Sequence, residues 1–122
     1  EQAIANGWCD VFNLRLSKCG GYVASLRLAQ RARAAGLECQ LGCQVGETGI
    51  LSAAGRHFAS SVGGLRYVEG SYDGWLVREA LATSNLTFGR GGWAPALTGP
   101  GLGITIDSEA LRRITVRVQP LA

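Results

Sequence analysis

An α/β fold with a parallel sheet is predicted by three observations. Strand-like and helix-like patterns alternate, they recur at nearly constant spacing, and glycines mark their junctions. Residues 10–17 read as the first strand, carried by Val11, Phe12, Leu14 and Leu16. A helix over residues 22–35 follows, with Ala24, Leu28, Ala32 and Ala35 along one stripe and Gly36 as its stop. The second strand is predicted over 38–43 and the second helix over 48–61, with Leu51, Ala54, Phe58 and Val62 as its apolar stripe. Gly63-Gly64 then turns the chain into a third strand over 65–69. Successive units of this kind make right-handed crossovers and gather their working groups at the C-terminal ends of the strands.

The tail leaves this period. Residues 74–81 are predicted as a short helix, 88–93 as a loop, and Pro100-Gly-Leu-Gly103 as a tight turn. Two short strands, 104–106 and 114–118, are expected to flank residues 107–113, making a small C-terminal β element. Residues 1–7 read as the end of a preceding helix.

Length and composition narrow the function classes. The 122 residues suit one compact domain, and 47% hydrophobic with 17% charged residues is an ordinary globular balance. The net charge of +3 is spread along the chain without basic runs interleaved with aromatics, which argues against nucleic-acid binding. No stretch reaches the roughly 18 apolar residues of a membrane span, so no membrane role is expected. Cys9, Cys19, Cys39 and Cys43 follow neither a disulfide framework nor a zinc-ligand spacing. They are expected to be reduced, half-buried residues of a cytoplasmic protein.

Lys18, Cys43 and Glu69 stand 25 and 26 residues apart, each at or just past a strand's C-terminal end. A lysine at that place suits proton transfer, although strand-end lysines are commonly plain solvated groups. Glu69 is either a pocket carboxylate or an exposed strand-end acid. Ser71 and Asp73 follow on its loop, within reach of a bound substrate. Glu47 precedes the second helix, where it either lines the pocket or favours the helix dipole. Cys43 is expected to be a small wall of the mouth, since no basic partner marks it as a nucleophile. His57, the single histidine, lies off its helix's apolar stripe and reads as a helix-face residue. Strand parity adds one constraint: Asn13 and Arg15 share a face that Lys18 does not follow by alternation. A bulge or strand end near Ser17 must therefore re-aim Lys18. Arg15 then stays on the face of Asn13.

Four ordered strings now matter together: Asn13-Leu-Arg-Leu-Ser-Lys18-Cys-Gly-Gly21, Gly42-Cys-Gln-Val-Gly-Glu47-Thr-Gly-Ile50, Tyr67-Val-Glu69-Gly, and Pro100-Gly-Leu-Gly-Ile104. They resemble the C-terminal part of the enolase superfamily, and within it the muconate-lactonizing group of cycloisomerases, o-succinylbenzoate synthases and dipeptide epimerases. The resemblance covers almost the whole chain. It implies a partial (β/α) TIM-type barrel comprising about the last three βα units, with the strands ending at Lys18, Cys43 and Glu69 as the sixth, seventh and eighth. It also implies an Mg²⁺-dependent isomerase or lyase that abstracts the proton α to the carboxylate of a small substrate. Lys18 would then be an acid/base catalyst, with Glu69, Cys43, Glu47, Ser71 and Asp73 as substrate-side residues. Cysteine at 43, where the mandelate-racemase group carries a histidine nearby, favours the group that works with two lysines.

A complete barrel of this type takes about 250 residues. Residues 1–122 are therefore expected to be the C-terminal portion of a larger enzyme, truncated at the N-terminus and inactive alone. The metal ligands, the second lysine, the missing barrel half and the capping domain are expected upstream, and the complete enzyme is expected to be a homo-oligomer. The alternative is a non-catalytic half-barrel module that associates through its open sheet edges.

Overall fold

The computed structural model describes residues 1–120. Its elements run α1 (Gln2–Ala5), β1 (Val11–Leu14), α2 (Tyr22–Ala34), β2 (Glu38–Leu41), α3 (Gly49–Val62), α4 (Asp73–Leu76) and α5 (Ser108–Ile114). β1 and β2 pair in parallel, with Asn13 opposite Gln40 and Leu14 opposite Leu41. The predicted third strand is reduced to one parallel bridge, Leu41 to Val68. Backbone hydrogen bonds from Arg66 to Cys39, from Leu41 to Tyr67 and from Glu69 to Leu41 nonetheless hold residues 66–69 against β2. The order is therefore β1, β2, then this bridged segment.

Alternation along β1 and β2 sorts the two faces of the sheet. Leu14, Leu16, Cys39 and Leu41 join Ala29 and Ala32 of α2 and Phe58 of α3 in one core, against which Phe12, Tyr22, Leu51 and Val62 pack. Tyr22 meets Phe58 edge to face, with ring centroids 5.4 Å apart. The opposite face carries Asn13, Arg15, Glu38 and Gln40, and it is polar.

The buried stripe of α2 is Ser25, Ala29 and Ala32, rotated from the expected one. Leu28 and Ala35 are exposed. A polar residue can head that stripe because the Ser25 hydroxyl donates to the Gly21 carbonyl at 2.7 Å. The tail also differs from expectation. No strand forms over 114–118; instead α5 forms, with the Asp107 carboxylate accepting from the backbone N–H of Glu109 and Ala110. That N-cap explains the helix. Residues 104–106 contribute only an antiparallel bridge, Ile106 to Ala82. The predicted turn at Pro100–Gly103 is present, closed by a Gly103-to-Pro100 hydrogen bond.

Candidate functional site at the strand ends

β1 ends at Leu14, and the chain turns at once. The Arg15 carbonyl accepts from the N–H of Lys18 and Cys19, and the Leu16 carbonyl accepts from Gly21. Gly20 and Gly21 take φ of +85° and +88°, which side chains with a Cβ rarely adopt, so the glycine pair makes this tight entry into α2 possible. The turn carries Lys18 off the alternation of β1. Lys18 is exposed and makes no side-chain hydrogen bond among the described residues. Arg15, half-buried, stays on the face of β1 opposite the Leu14 and Leu16 core.

The ends of β2 and of residues 66–69 are tied together by Glu69. Its Oε1 accepts from Gln40 Nε2 at 3.3 Å, and its Oε2 accepts from the Cys43 N–H at 3.4 Å. Close packing continues at Gly42, where a Cβ would lie 2.1 Å from Asn13 Oδ1. Glu47 fastens its own loop, accepting from the Gln44 N–H at 2.9 Å and from the Ser52 hydroxyl at 3.3 Å. Burial first, and then the Glu47 and Glu69 carboxylates, push the Cys43 thiol above its ordinary value, while Arg15 pulls the other way. Arg15, Cys43, Glu47 and Glu69 thus share one electrostatic neighbourhood at the strand ends.

A cavity of about 310 Å³ adjoins this cluster, between α3 and residues 86–96. Leu41, Leu51, Val68, Phe88 and Trp93 give it apolar walls, while Glu47, Ser52, Arg56, Glu69 and Ser71 supply polar ones. Three expected substrate-side residues, Glu47, Glu69 and Ser71, therefore meet at one cavity. Ser71 holds φ of +61°, unusual for a residue with a Cβ, and is buried. Cys43 lies beside the cavity rather than on its wall, its Cβ 3.9 Å from where a Cβ on Gly70 would lie.

Asp73, expected on the loop facing a substrate, is 6% exposed as the first residue of α4. Its Oδ2 lies 3.2 Å from the position of a Cβ on Gly49, at the start of α3. A carboxylate there complements the positive end of the helix. His57 also has a structural place, its Nε2 meeting the Leu102 carbonyl at 3.0 Å and fastening the Pro100–Gly103 turn to α3.

Arg56 was not anticipated. Its guanidinium donates to the carbonyls of Leu86 and Pro95 and lies over the Phe88 ring, 5.6 Å from the centroid. Burial lowers its pKa from the ordinary arginine value. The available signal was its spacing: Ser52, Arg56 and Ser60 form a polar i, i+4 line beside the apolar stripe of α3.

Among the described residues no three His, Cys, Asp or Glu side chains converge to hold a metal ion. The residues present do not form a Mg²⁺ cradle. The cysteines form no disulfide with one another. No described helix is long and apolar enough to cross a membrane.

Parallel strands whose C-terminal ends carry the polar groups are the frame on which relatives can be compared. A family model described as enolase C-terminal domain-like matches residues 1–110. The chain belongs to that family. The N-succinyl-L-Arg/Lys racemase of Bacillus cereus is 34% identical over 110 residues, which cover 88% of this chain and 28% of that protein. Muconate cycloisomerase 1-1 of Acinetobacter lwoffii is 34% identical over 118 residues, covering 94% of this chain and 30% of its own. The crystal structure of the Bacillus cereus racemase superposes with a TM-score of 0.81 over 95% of this chain and 30% of that one, at 32% identity. An enolase of Mycobacterium smegmatis, crystallised with formate and acetate, superposes with a TM-score of 0.79 at 26% identity, over 93% of this chain and 26% of that one. These members of the enolase C-terminal domain-like family include racemases, epimerases and cycloisomerases. The chain spans about 30% of the length of such relatives.

Proposed function

We propose that this chain supplies the last three strands of a (β/α) barrel enzyme that abstracts the proton α to the carboxylate of a small substrate. The observation that carries the proposal is the convergence of three strand ends. Glu69 from the third segment bonds both Gln40 and the Cys43 N–H, beside Arg15 from the first. The rest of the barrel, the capping domain and the metal ligands come from the remaining polypeptide on this reading. Mg²⁺, which the family resemblance implies, would supply charge stabilisation there. Kinship with racemases and cycloisomerases supports the reaction class.

The roles follow from position. Lys18 is the acid/base candidate: its ammonium rides on a flexible stem at the β1 turn, suited to carrying a proton to and from the α carbon. Glu69 orients the strand ends and faces the cavity, and Glu47 and Ser71 shape the wall beside it. The test uses the full-length polypeptide containing this segment, supplied with Mg²⁺ in D₂O. N-succinyl-L-lysine, a hydrophobic dipeptide and muconate are offered, and α-deuteration or product formation is followed by NMR. Lys18→Ala should lower exchange by at least a hundredfold, in line with the usual contribution of a general acid/base. Unchanged exchange in Lys18→Ala removes Lys18 from the role.

A further inference from the structure

The loop over residues 86–95 is held at its neck by a side chain of α3. Leu86 is buried and seats the near end, its Cδ1 3.4 Å from where a Cβ on Gly49 would lie. The loop then closes on itself. The Gly89 N–H donates to the Trp93 carbonyl at 2.7 Å, and the Gly92 N–H donates to the Gly89 carbonyl at 3.0 Å. Trp93 folds back over this turn, its Cδ1 3.4 Å from where a Cβ on Gly91 would lie. Internal packing of this kind fixes the shape of a loop, while its angle to the helix depends on what grips its ends.

Arg56 grips both ends. Its Nη2 donates to the Leu86 carbonyl and its Nη1 to the Pro95 carbonyl, so one guanidinium spans the neck of the loop. The same group lies over the Phe88 ring, 5.6 Å from the centroid, which adds a third point of hold. A planar fork of five N–H donors can serve two carbonyls and a ring at once, and it stays charged at every ordinary pH. One residue further along α3, His57 meets the Leu102 carbonyl and fastens the chain beyond the loop to the same helix.

What this clasp sets is a wall. Phe88, Trp93 and Pro95 of the loop line the 310 Å³ cavity that Glu47, Glu69 and Ser71 also line. The loop therefore supplies apolar surface facing the polar strand ends. We infer that Arg56 is a positioning residue: by clamping the neck of the 86–95 loop to α3, it holds Phe88 and Trp93 as the wall against which a substrate's apolar body packs. Its loss weakens binding and leaves the proton transfer itself intact. The substrate half of this inference rests on the α-proton reading, but the clasp does not.

The experiment follows backbone amide exchange by mass spectrometry in the full-length polypeptide and in Arg56→Met and Arg56→Lys. In Arg56→Met, peptides covering residues 86–95 should exchange about tenfold faster, while those covering β1 and β2 keep their rates. Arg56→Lys should fall between, since charge remains but the fork is lost. Unchanged exchange over 86–95 overturns the proposal. So does a rise spread evenly over the chain, which would make Arg56 a plain support of the fold. If Arg56→Met does not fold, Arg56→Lys decides by the same two criteria. The substrate half is read with N-succinyl-L-leucine, L-alanyl-L-leucine and muconate, by the NMR assay in D₂O. For each that the parent turns over, Arg56→Lys should raise KM severalfold with kcat held within about twofold. An unchanged KM, or a fall in kcat in its place, overturns the assignment of the wall. A parent protein inert toward all three rejects the enzyme reading alone, and amide exchange still decides the clasp.

Discussion

Cys43 reports on the charges gathered at the strand ends. Burial and the Glu47 and Glu69 carboxylates raise its thiol, so the thiolate is scarce near neutral pH. Alkylation of Cys43 by iodoacetamide should accelerate only above about pH 8.5, the ordinary thiol range. Glu69→Gln removes one negative charge and should move that rise to lower pH. Peptide mass spectrometry across a pH series measures both, and a rise at the ordinary value in the parent protein contradicts the charge cluster. At this scale, the constant spacing agrees with Cys43 and Glu69 lying within hydrogen-bond reach, and alternation agrees with Arg15 lying on the polar face of β1. Sequence shows that Asp73 follows a strand but not that it opens α4 and is buried there. Arg56 was missed because its partners are backbone carbonyls 30 and 39 residues away, and no side-chain pattern announces those.

Among the elements, α3 is the one that positions the site, and its first residue is tightly confined. A Cβ at Gly49 would stand 2.9 Å from Ala82 Cβ, a carbon with no rotamer to move. Gly49→Ala should therefore destabilise the fold by about 1–3 kcal/mol through overpacking. Gly55 is the internal control: its Cβ would meet Leu41 Cδ2 at an ordinary 3.5 Å. There alanine's better helix propensity makes Gly55→Ala neutral or stabilising by about 0.5–1 kcal/mol. Urea denaturation of the two variants checks the contrast; equal effects contradict the packing at Gly49. The helices α2 and α3 and the strands β1 and β2 were legible because period and glycine stops agree there. The tail was not, since Ile114, Val116 and Val118 alternate like a strand yet are exposed, with no sheet edge beside them. Asp107 was the competing signal, an N-cap followed by good helix formers.

At the scale of the molecule, β1 pairs with β2 on one side only among the described residues, and residues 66–69 likewise have one hydrogen-bonded neighbour. Such edges invite further strands. The same placement that leaves the edges available aligns Arg15, Cys43 and Glu69 along one rim, where barrel enzymes keep their chemistry. Membership of the enolase C-terminal domain-like family fits that arrangement. The most direct measurement is deuterium incorporation by the unaltered full-length polypeptide in D₂O with Mg²⁺, using N-succinyl amino acids, dipeptides and related small carboxylates. Deuterium entering the α position of at least one of them, catalytically and only with folded protein, is the predicted result. No α-exchange with any member of the series, from a polypeptide that binds Mg²⁺ and remains folded, would contradict the account.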